Sequence, residues 1–335
     1  MIKASLTAAI AALSLATVTQ ADTNANFTLD WKFEGPAAPY FLAVDNGHFA
    51  EQGLNVDISA GQGSLDAIPK VATGAFPFGF ADINSLIKFL DQNPDAPVTA
   101  VMMVYDKPPF AVIGRKSQGI NGIDDLEGSV LGAPPPDGAW AQFPIFAAEN
   151  GIDVGQIDVR PVGFPTREPM LAAGEVDSVT GFSFSSYLNL VRLGVPEDDL
   201  TTILMADHGV ELYGNAIIVN TDFAEANPEI VTGFLTAVAA GWRDAIANPQ
   251  AGAEAVIARN PAGDVEFETL RLSLAIASNV LTEHTAENGM GRIDADRFAR
   301  ALAQLATTYE FQITTDAPQY FTNDYLPAAE LLTLQ

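Results

Sequence analysis

From Phe27 onward the chain switches repeatedly between two hydrophobic periods. "FTLDW" is a short stretch of strand type, and "APYFLAVDNGHFAEQG" repeats its apolar positions at helical spacing before ending on Gly53, a common helix stop. "LNVDI" alternates at period two and "SAGQG" turns. "LDAIPKVATG" then reads as a helix that Ser64 caps and whose dipole Asp66 complements. "FPFGFA" and "VTAVMMVY" read as buried strands on either side of the helix "INSLIKFLDQ". Strands separated by helices of about 10–15 residues predict a mainly parallel sheet flanked by helices.

The pattern restarts after "FAVIGRKSQGINGIDDLEG". "SVLGA" is strand-like, "PPPDG" turns, and "AWAQFPIFAAENG" is helical; "IDVRPVGF", "TREPMLAAG", "VDSVTGF" and "SSYLNLVRLG" continue the alternation. "LTTILMA" and "NAIIVN" close the unit. From Asp222 the text is helical: "TDFAEANPEIVTGFLTAVAAGWRDAIAN", then 265–281 and 295–309. A tail without strands is expected to pack back on the first unit. Gly74 and Gly174 sit one hundred positions apart in "VATGAFPFGFAD" and "LAAGEVDSVTGF", each between a helix end and a core strand. The chain therefore reads as two similar α/β lobes. Ligands collect at the carboxyl ends of strands in open α/β sheets. That rule puts Asp82, Ile83 and Asn84 on one rim and Phe182, Ser183 and Phe184 on the other.

Length agrees with two units, since 335 residues exceed what one core comfortably holds. A formal charge of -26, from 16 basic and 42 acidic residues, repels phosphate backbones and excludes nucleic acid as a partner. With no cysteine there are no disulfides, thiolate nucleophiles or iron–sulfur clusters. The opening "MIKASLTAAIAALSLATVTQAD" has Lys3, a short apolar run and small residues at Thr19 and Ala21. This is the pattern of a secretory leader, residues 1–21, with cleavage after Ala21. No later segment reads as apolar enough to span a bilayer, so a soluble periplasmic protein is expected.

The stretch "LDWKFEGPAAPYFLAVDNGHFAEQGLNVDI" resembles the opening of the ABC-transporter substrate-binding family that includes alkanesulfonate, taurine, nitrate and thiamine-pyrimidine carriers. Trp31, Tyr40, Gly47-His48-Phe49 and Gly53-Leu54 carry the likeness. "GSLDAIPKVATGAFPFGFAD", "REPMLAAGEVDSVTGF" and "NAIIVNTDFAEANPEIVTGFLTAV" are similar to later motifs of the same family, over 27–248 in all. The resemblance implies a two-lobed periplasmic-binding-protein fold of type II that closes on a small molecule. Its expected crossings lie near Phe110–Arg115 and 216–220. Lobe 1 would comprise 27–113 and 218–335, and lobe 2 would comprise 114–217. An inner-membrane ABC permease is the implied partner, and a monomer the expected state. One branch of the family is enzymatic, the thiamine-pyrimidine synthases. They need a cysteine-rich segment where this chain has "VELYGNA", and a Lys and a His where it has Ala81 and Ser85.

Trp31, Phe80, Phe182, Phe184 and Tyr213 offer flat apolar faces near expected strand ends, and the resemblance adds Tyr40. Glu34, Asp82, Glu168 and Glu211 offer carboxylates; Asn84, Ser183 and Asn215 offer neutral hydrogen bonds. Aromatic walls with a few polar groups describe a small-molecule site. An anion is the alternative, held at helix starts near Ser64 and Gly138 with Arg167 as its partner. The acidic residues near Trp31 and Tyr213 favour a neutral or cationic nitrogen heterocycle. There is no Walker loop, nucleophile elbow or zinc-protease motif, so no catalytic residue, metal or cofactor is expected. His208 beside Glu211 reads as an ordinary loop histidine.

Overall fold

The structure, a computed structural model, describes residues 23–312 and 320–334; the expected leader lies outside them. Its strands form two five-stranded sheets. The first half supplies β1 (Thr23–Thr28), β2 (Leu54–Ser59), β3 (Phe78–Asp82) and β4 (Val98–Met103). Around them run helices α1 (Ala38–Asp45), α2 (His48–Glu51), α3 (Ser64–Ala72) and α4 (Ile83–Gln92). Strands β5 (Phe110–Arg115), β6 (Val130–Ala133), β7 (Asp158–Pro161), β8 (Ser178–Phe182) and β9 (Leu200–Leu204) build the second sheet. Its helices are α5 (Gly138–Glu149), α6 (Phe164–Ala173) and α7 (Ser183–Arg192).

The second half then returns β10 (Asn215–Asn220) to the first sheet, whose order is β2-β1-β3-β10-β4; the other runs β7-β6-β8-β5-β9. The two orders are the same pattern. In each, four strands run in one direction and the fourth position is filled antiparallel by the strand that arrives across the lobes. The likeness extends to numbering: β3 and β8 begin one hundred positions apart, as do α4 and α7.

Three local readings change. Strand β1 begins at Thr23 and ends at Thr28, so "LDW" lies beyond the strand, in the loop that leaves the sheet edge. Ser64 does not cap α3; Gly63 holds the cap position, and Ser64 Oγ accepts the Asp82 N–H at 2.9 Å. The segments expected as crossings, Phe110–Arg115 and 216–220, are themselves sheet strands, β5 and β10. The chain passes between sheets at 104–109 and 205–214.

The tail contributes α8 (Thr221–Ala226), α9 (Pro228–Ala247), α10 (Pro249–Arg259), α11 (Val265–Ala275), α12 (Glu283–Asn288), α13 (Ala295–Thr308) and α14 (Ala329–Leu332). Contrary to the reading of the sequence, α9 is long and apolar enough to cross a membrane by length and composition. Its Val231, Phe234, Val238 and Trp242 are buried in the core that it shares with α1 and α2. The tail does not confine itself to the first lobe: α11 also packs on α7, and α13 on α5. It also covers the β4 edge through bridges from Phe321 to Ala100 and from Gly291 to Met103, which removes an open strand edge.

Both connections are stapled by this tail. Arg297 on α13 donates to Asp106 Oδ1 in the first connection at 2.8 Å and to the Leu212 carbonyl in the second at 3.2 Å. Its guanidinium lies 3.8 Å from the Tyr213 ring centroid. Lys107 and Asp207 pair directly from one connection to the other.

Candidate ligand-binding site

The carboxyl edges of the two sheets face one cavity of about 850 Å³, mouth included, lined from both lobes. Loop geometry at the β1 edge is set by the "SAGQG" turn. Gly61 N–H donates to the Trp31 carbonyl at 3.0 Å and Gly63 N–H to that of Asp30. A Cβ on Gly61 would stand 2.0 Å from the Leu29 carbonyl oxygen, so only glycine permits this approach. Asp30, Trp31 and Glu34 are thereby presented to the cavity.

Aromatic rings make most of the wall. Trp31 meets Phe164 of the opposite lobe edge-on, centroids 4.9 Å apart. Tyr40, Phe80, Tyr105 and Phe184 form a chain of contacts at 5.7, 5.4 and 6.0 Å, and Phe182 touches Phe184 at 5.9 Å. Such edge-on surfaces suit a flat ring system.

Three carboxyls and two cations line the space: Asp30, Glu34 and Asp137 against Lys32 and Arg167. Arg167 is already engaged, its Nη2 2.6 Å from Glu168 and its Nη1 3.7 Å from Asp137. Asp137 is pushed up by burial, and Arg167 pulls the other way. Behind Glu34, the buried Arg271 of α11 lies 3.4 Å from Glu34 and 3.0 Å from Glu268. It also donates to Ser185 and Asn189 of α7, joining the lobes. Burial raises the Glu34 carboxyl, while Arg271 opposes the rise. Asp30 is different. Burial pushes it from an ordinary 3.8 to about 7, Asp82 and Glu34 add to the rise, and hydrogen bonding, first from Asn215, works against it.

Of the expected site residues, Trp31, Glu34, Tyr40, Phe80, Gly138, Arg167, Phe182 and Phe184 line the cavity. Asp82, Asn84, Ser183, Tyr213 and Asn215 do not. Asp82 caps α4, accepting from Asn84 N, Ser85 N and Ser85 Oγ at 3.1, 2.9 and 2.7 Å. Asn84 Nδ2 turns to Asp82 and to the Tyr213 carbonyl. Ser183 gives its N–H to Pro109 at the start of α7. Tyr213 lies in the second connection, under Arg297 and accepting from Asp294 N–H. Asn215 stands one bond behind the wall, on Asp30. Glu211 pairs with Arg300 on the surface, and His208 packs on Phe146.

Sequence reasoning passed over Asp30, Tyr105, Asp137, Phe164 and Ser185. Asp30 carried a usable signal, a carboxyl next to Trp31 just past a strand end. Phe164 and Asp137 sit at the starts of α6 and α5, where the same edge rule would have reached them. Among the described residues no group of three or more His, Asp or Glu is gathered as for a metal ion.

Comparison with known proteins gives a consistent picture. The chain is 26% identical over 298 residues to the riboflavin-binding protein RibY of Chloroflexus aurantiacus, covering 87% of this chain and 82% of that one. It is 27% identical over 226 residues to the formylaminopyrimidine-binding protein of Halalkalibacterium halodurans, covering 66% of each. More distant relatives are named 4-amino-5-hydroxymethyl-2-methylpyrimidine phosphate synthases. Among solved structures, the periplasmic aliphatic sulphonate binding protein SsuA from Escherichia coli superposes with a TM-score of 0.70 at 11% identity, covering 90% of this chain and 98% of that one. The fold is thus that of the periplasmic binding proteins. Residues 36–252, more than half of the chain, match the family described as NMT1/THI5 like, and the chain belongs to that family.

Proposed function

We propose that this protein is the exported solute-binding component of an ABC importer, and that it captures a small nitrogen heterocycle between its lobes and delivers it to an inner-membrane permease. The observation that carries the reading is the make-up of the cavity. Its walls are aromatic, Arg167 is paired with two carboxyls, and Asp30 has no cation among the groups acting on it. Stacking on Trp31 and Phe182 contributes about 0.5–1.5 kcal/mol per ring beyond area burial. Micromolar capture needs about 8 kcal/mol in total, so several rings and at least one directed polar contact must act together. An anion would meet Asp30 and Glu34 and find Arg167 already neutralised, which places sulfonates and nitrate behind heterocycles. The names of the two binding-protein relatives point the same way.

In this reading the leader directs the chain to the periplasm, the mature protein acts as a monomer, and no bond of the ligand is broken. Native mass spectrometry of the purified protein, followed by thermal-shift titration with riboflavin, formylaminopyrimidine, other heterocycles and sulfonates, tests it. A bound heterocycle and a concentration-dependent rise in melting temperature are expected. Stabilisation by sulfonates alone would replace the heterocycle with an anion, and turnover of the bound compound would overturn the carrier role.

A further inference from the structure

Asp30 and Asn215 reach the same point from opposite sides of the sheet edge. Asp30 follows β1; Asn215 opens β10, immediately after the second connection. Asn215 Nδ2 donates to Asp30 Oδ2 at 2.6 Å, and both residues are buried. Its own carbonyl accepts from the N–H groups of Val104 and Tyr105 at 3.0 and 2.9 Å, which pins its backbone to the start of the first connection. Oδ1 of the same amide has no partner among the described residues, so Asp30 receives the hydrogen bond that orients this side chain.

The charges acting on Asp30 are like its own, and the one cation on its segment is turned away. Glu34 and Lys32 lie on its own segment, Asp82 at the end of β3, Tyr40 on α1 and Tyr105 in the first connection. Lys32 is turned over the Trp31 ring, its Nζ 5.3 Å from the centroid. An ionised carboxylate so placed lacks a compensating charge. A ligand N–H would stabilise it through a charge-assisted hydrogen bond.

We infer that Asp30 is the specificity-determining acceptor of this cavity, selecting ligands that present an N–H edge such as an amine beside a ring nitrogen, and that Asn215 is the positioning residue that keeps its carboxylate aimed and able to accept. This rests on the heterocycle reading above. A proton competes with the ligand for Asp30. With the carboxyl titrating at about 7, affinity for a neutral donor falls as pH drops through that value. Removing the Asn215 amide removes a hydrogen bond that favours the ionised form, so the fall then begins at higher pH.

Two measurements test this separately. In the ligand-free protein, the Asp30 carboxyl is followed by carbon-13 NMR across a pH titration. A midpoint near neutrality is expected for the wild type, a higher one for Asn215→Ala, and loss of the signal for Asp30→Asn. The milder Asn215→Ser stands in should the alanine variant fail to fold. The second measurement compares 4-aminopyrimidine with 4-methylpyrimidine, nearly the same shape without the N–H edge, as NMR-detected ligands. At about pH 8 the amine is expected to bind on the order of tenfold more tightly to the wild type. That preference should vanish in Asp30→Asn, shrink in Asn215→Ala near neutral pH, and return to the latter at higher pH. A midpoint unmoved by Asn215→Ala overturns the role of Asn215, and equal binding of the two pyrimidines overturns that of Asp30. Should no heterocycle bind at all, the functional reading fails, while the titration still decides the Asn215 claim.

Discussion

Asp82 and Phe182 occupy the same place in the two lobes, the last residue of the core strand and the cap of the helix after it, yet they face opposite tasks. Asp82 turns its carboxylate into the first turn of α4 and is consumed there. Phe182 makes no side-chain cap, leaves the first turn of α7 uncapped, and lines the cavity. The next residues repeat the contrast. Asn84 bonds to the Tyr213 carbonyl in the second connection, while Phe184 lines the cavity; Ser85 closes on Asp82, while Ser185 reaches Glu34 of the other lobe at 3.4 Å. Carboxyls divide the same way. In lobe 2 Asp137 has Arg167 beside it, whereas in lobe 1 Asp30 accepts from the neutral Asn215 amide. At this one helix start the scaffold, built twice, spends its rim on internal bonding in one copy and turns it to the cavity in the other. The lesson is that a rim position announces a site only when its own helix does not claim the side chain.

Asp30 gives the largest handle on that asymmetry. Its folded-state value lies above its ordinary one, so between about pH 4 and 7 the folded chain holds a proton that the unfolded chain has released. Stability contributed by this group is therefore full below the ordinary value and falls as pH rises, by roughly 4 kcal/mol over the window. Asp30→Asn cannot titrate. Urea denaturation across this range is expected to show a shallower decline for the variant than for the wild type, with the greatest gap at about pH 8. Parallel curves would mean that Asp30 is not carrying a buried charge.

Asp82→Ala and Phe182→Ala break the comparison from its two sides. Removing Asp82 strands two N–H groups and a hydroxyl in a buried helix start and is expected to lower stability by about 2–3 kcal/mol. Affinity for whichever ligand the panel identifies should change little. Removing the Phe182 ring is expected to weaken that ligand by about 1.5–2 kcal/mol, or ten- to thirtyfold, and Trp31→Ala by about 2 kcal/mol. Denaturation and calorimetric titration of all three variants separate the roles. Loss of affinity in Asp82→Ala equal to that in Phe182→Ala would erase the distinction.

The same pair explains how much the sequence could tell. Helix α4 was legible to the residue in "INSLIKFLDQ", because period, length and flanking strands agree there. Phe182 and Phe184 followed from the strand-end rule, and Asp82 and Asn84 were assigned by that rule as well. For Asp82 the rule competes with a second reading of the same residue, a carboxylate with free N–H groups two and three residues on, which is the signature of a helix cap. Reading "FTLDW" as one strand runs β1 past Thr28 and so hides the signal at Asp30, a carboxyl just beyond the true strand end. The crossings, expected on the strands at 110–115 and 216–220, fall just before them, because each strand pairs along its whole length within one sheet and only pairing reveals it. No local pattern announces Arg297 under Tyr213 or Arg271 against α7. Those contacts join residues more than eighty positions apart and exist only once the tail has docked.

The smallest effect tests whether the repeat is structural down to its turns. Gly74 and Gly174 both adopt positive φ, 75° and 79°, where their helices end. An L side chain in that region costs about 1 kcal/mol, so Gly74→Ala and Gly174→Ala are each expected to destabilise by that amount. The environments then separate them. A Cβ on Gly74 would have its nearest neighbour, Asn220 Nδ2, at 3.9 Å, an ordinary contact, whereas one on Gly174 would stand 2.7 Å from Gln118 Nε2. That atom is the far end of a flexible side chain, so the amide can swing aside at a cost of a few tenths of a kcal/mol in lost contacts. Gly174→Ala should therefore be the worse of the two by a margin just resolvable in paired denaturation curves. The double variant Gly174→Ala with Gln118→Ala should fall back to the value of Gly74→Ala measured in a Gln118→Ala background. If Gly174→Ala stays worse there, strain in the turn itself separates the two copies, and the lobes differ in backbone as well as in what their rims hold.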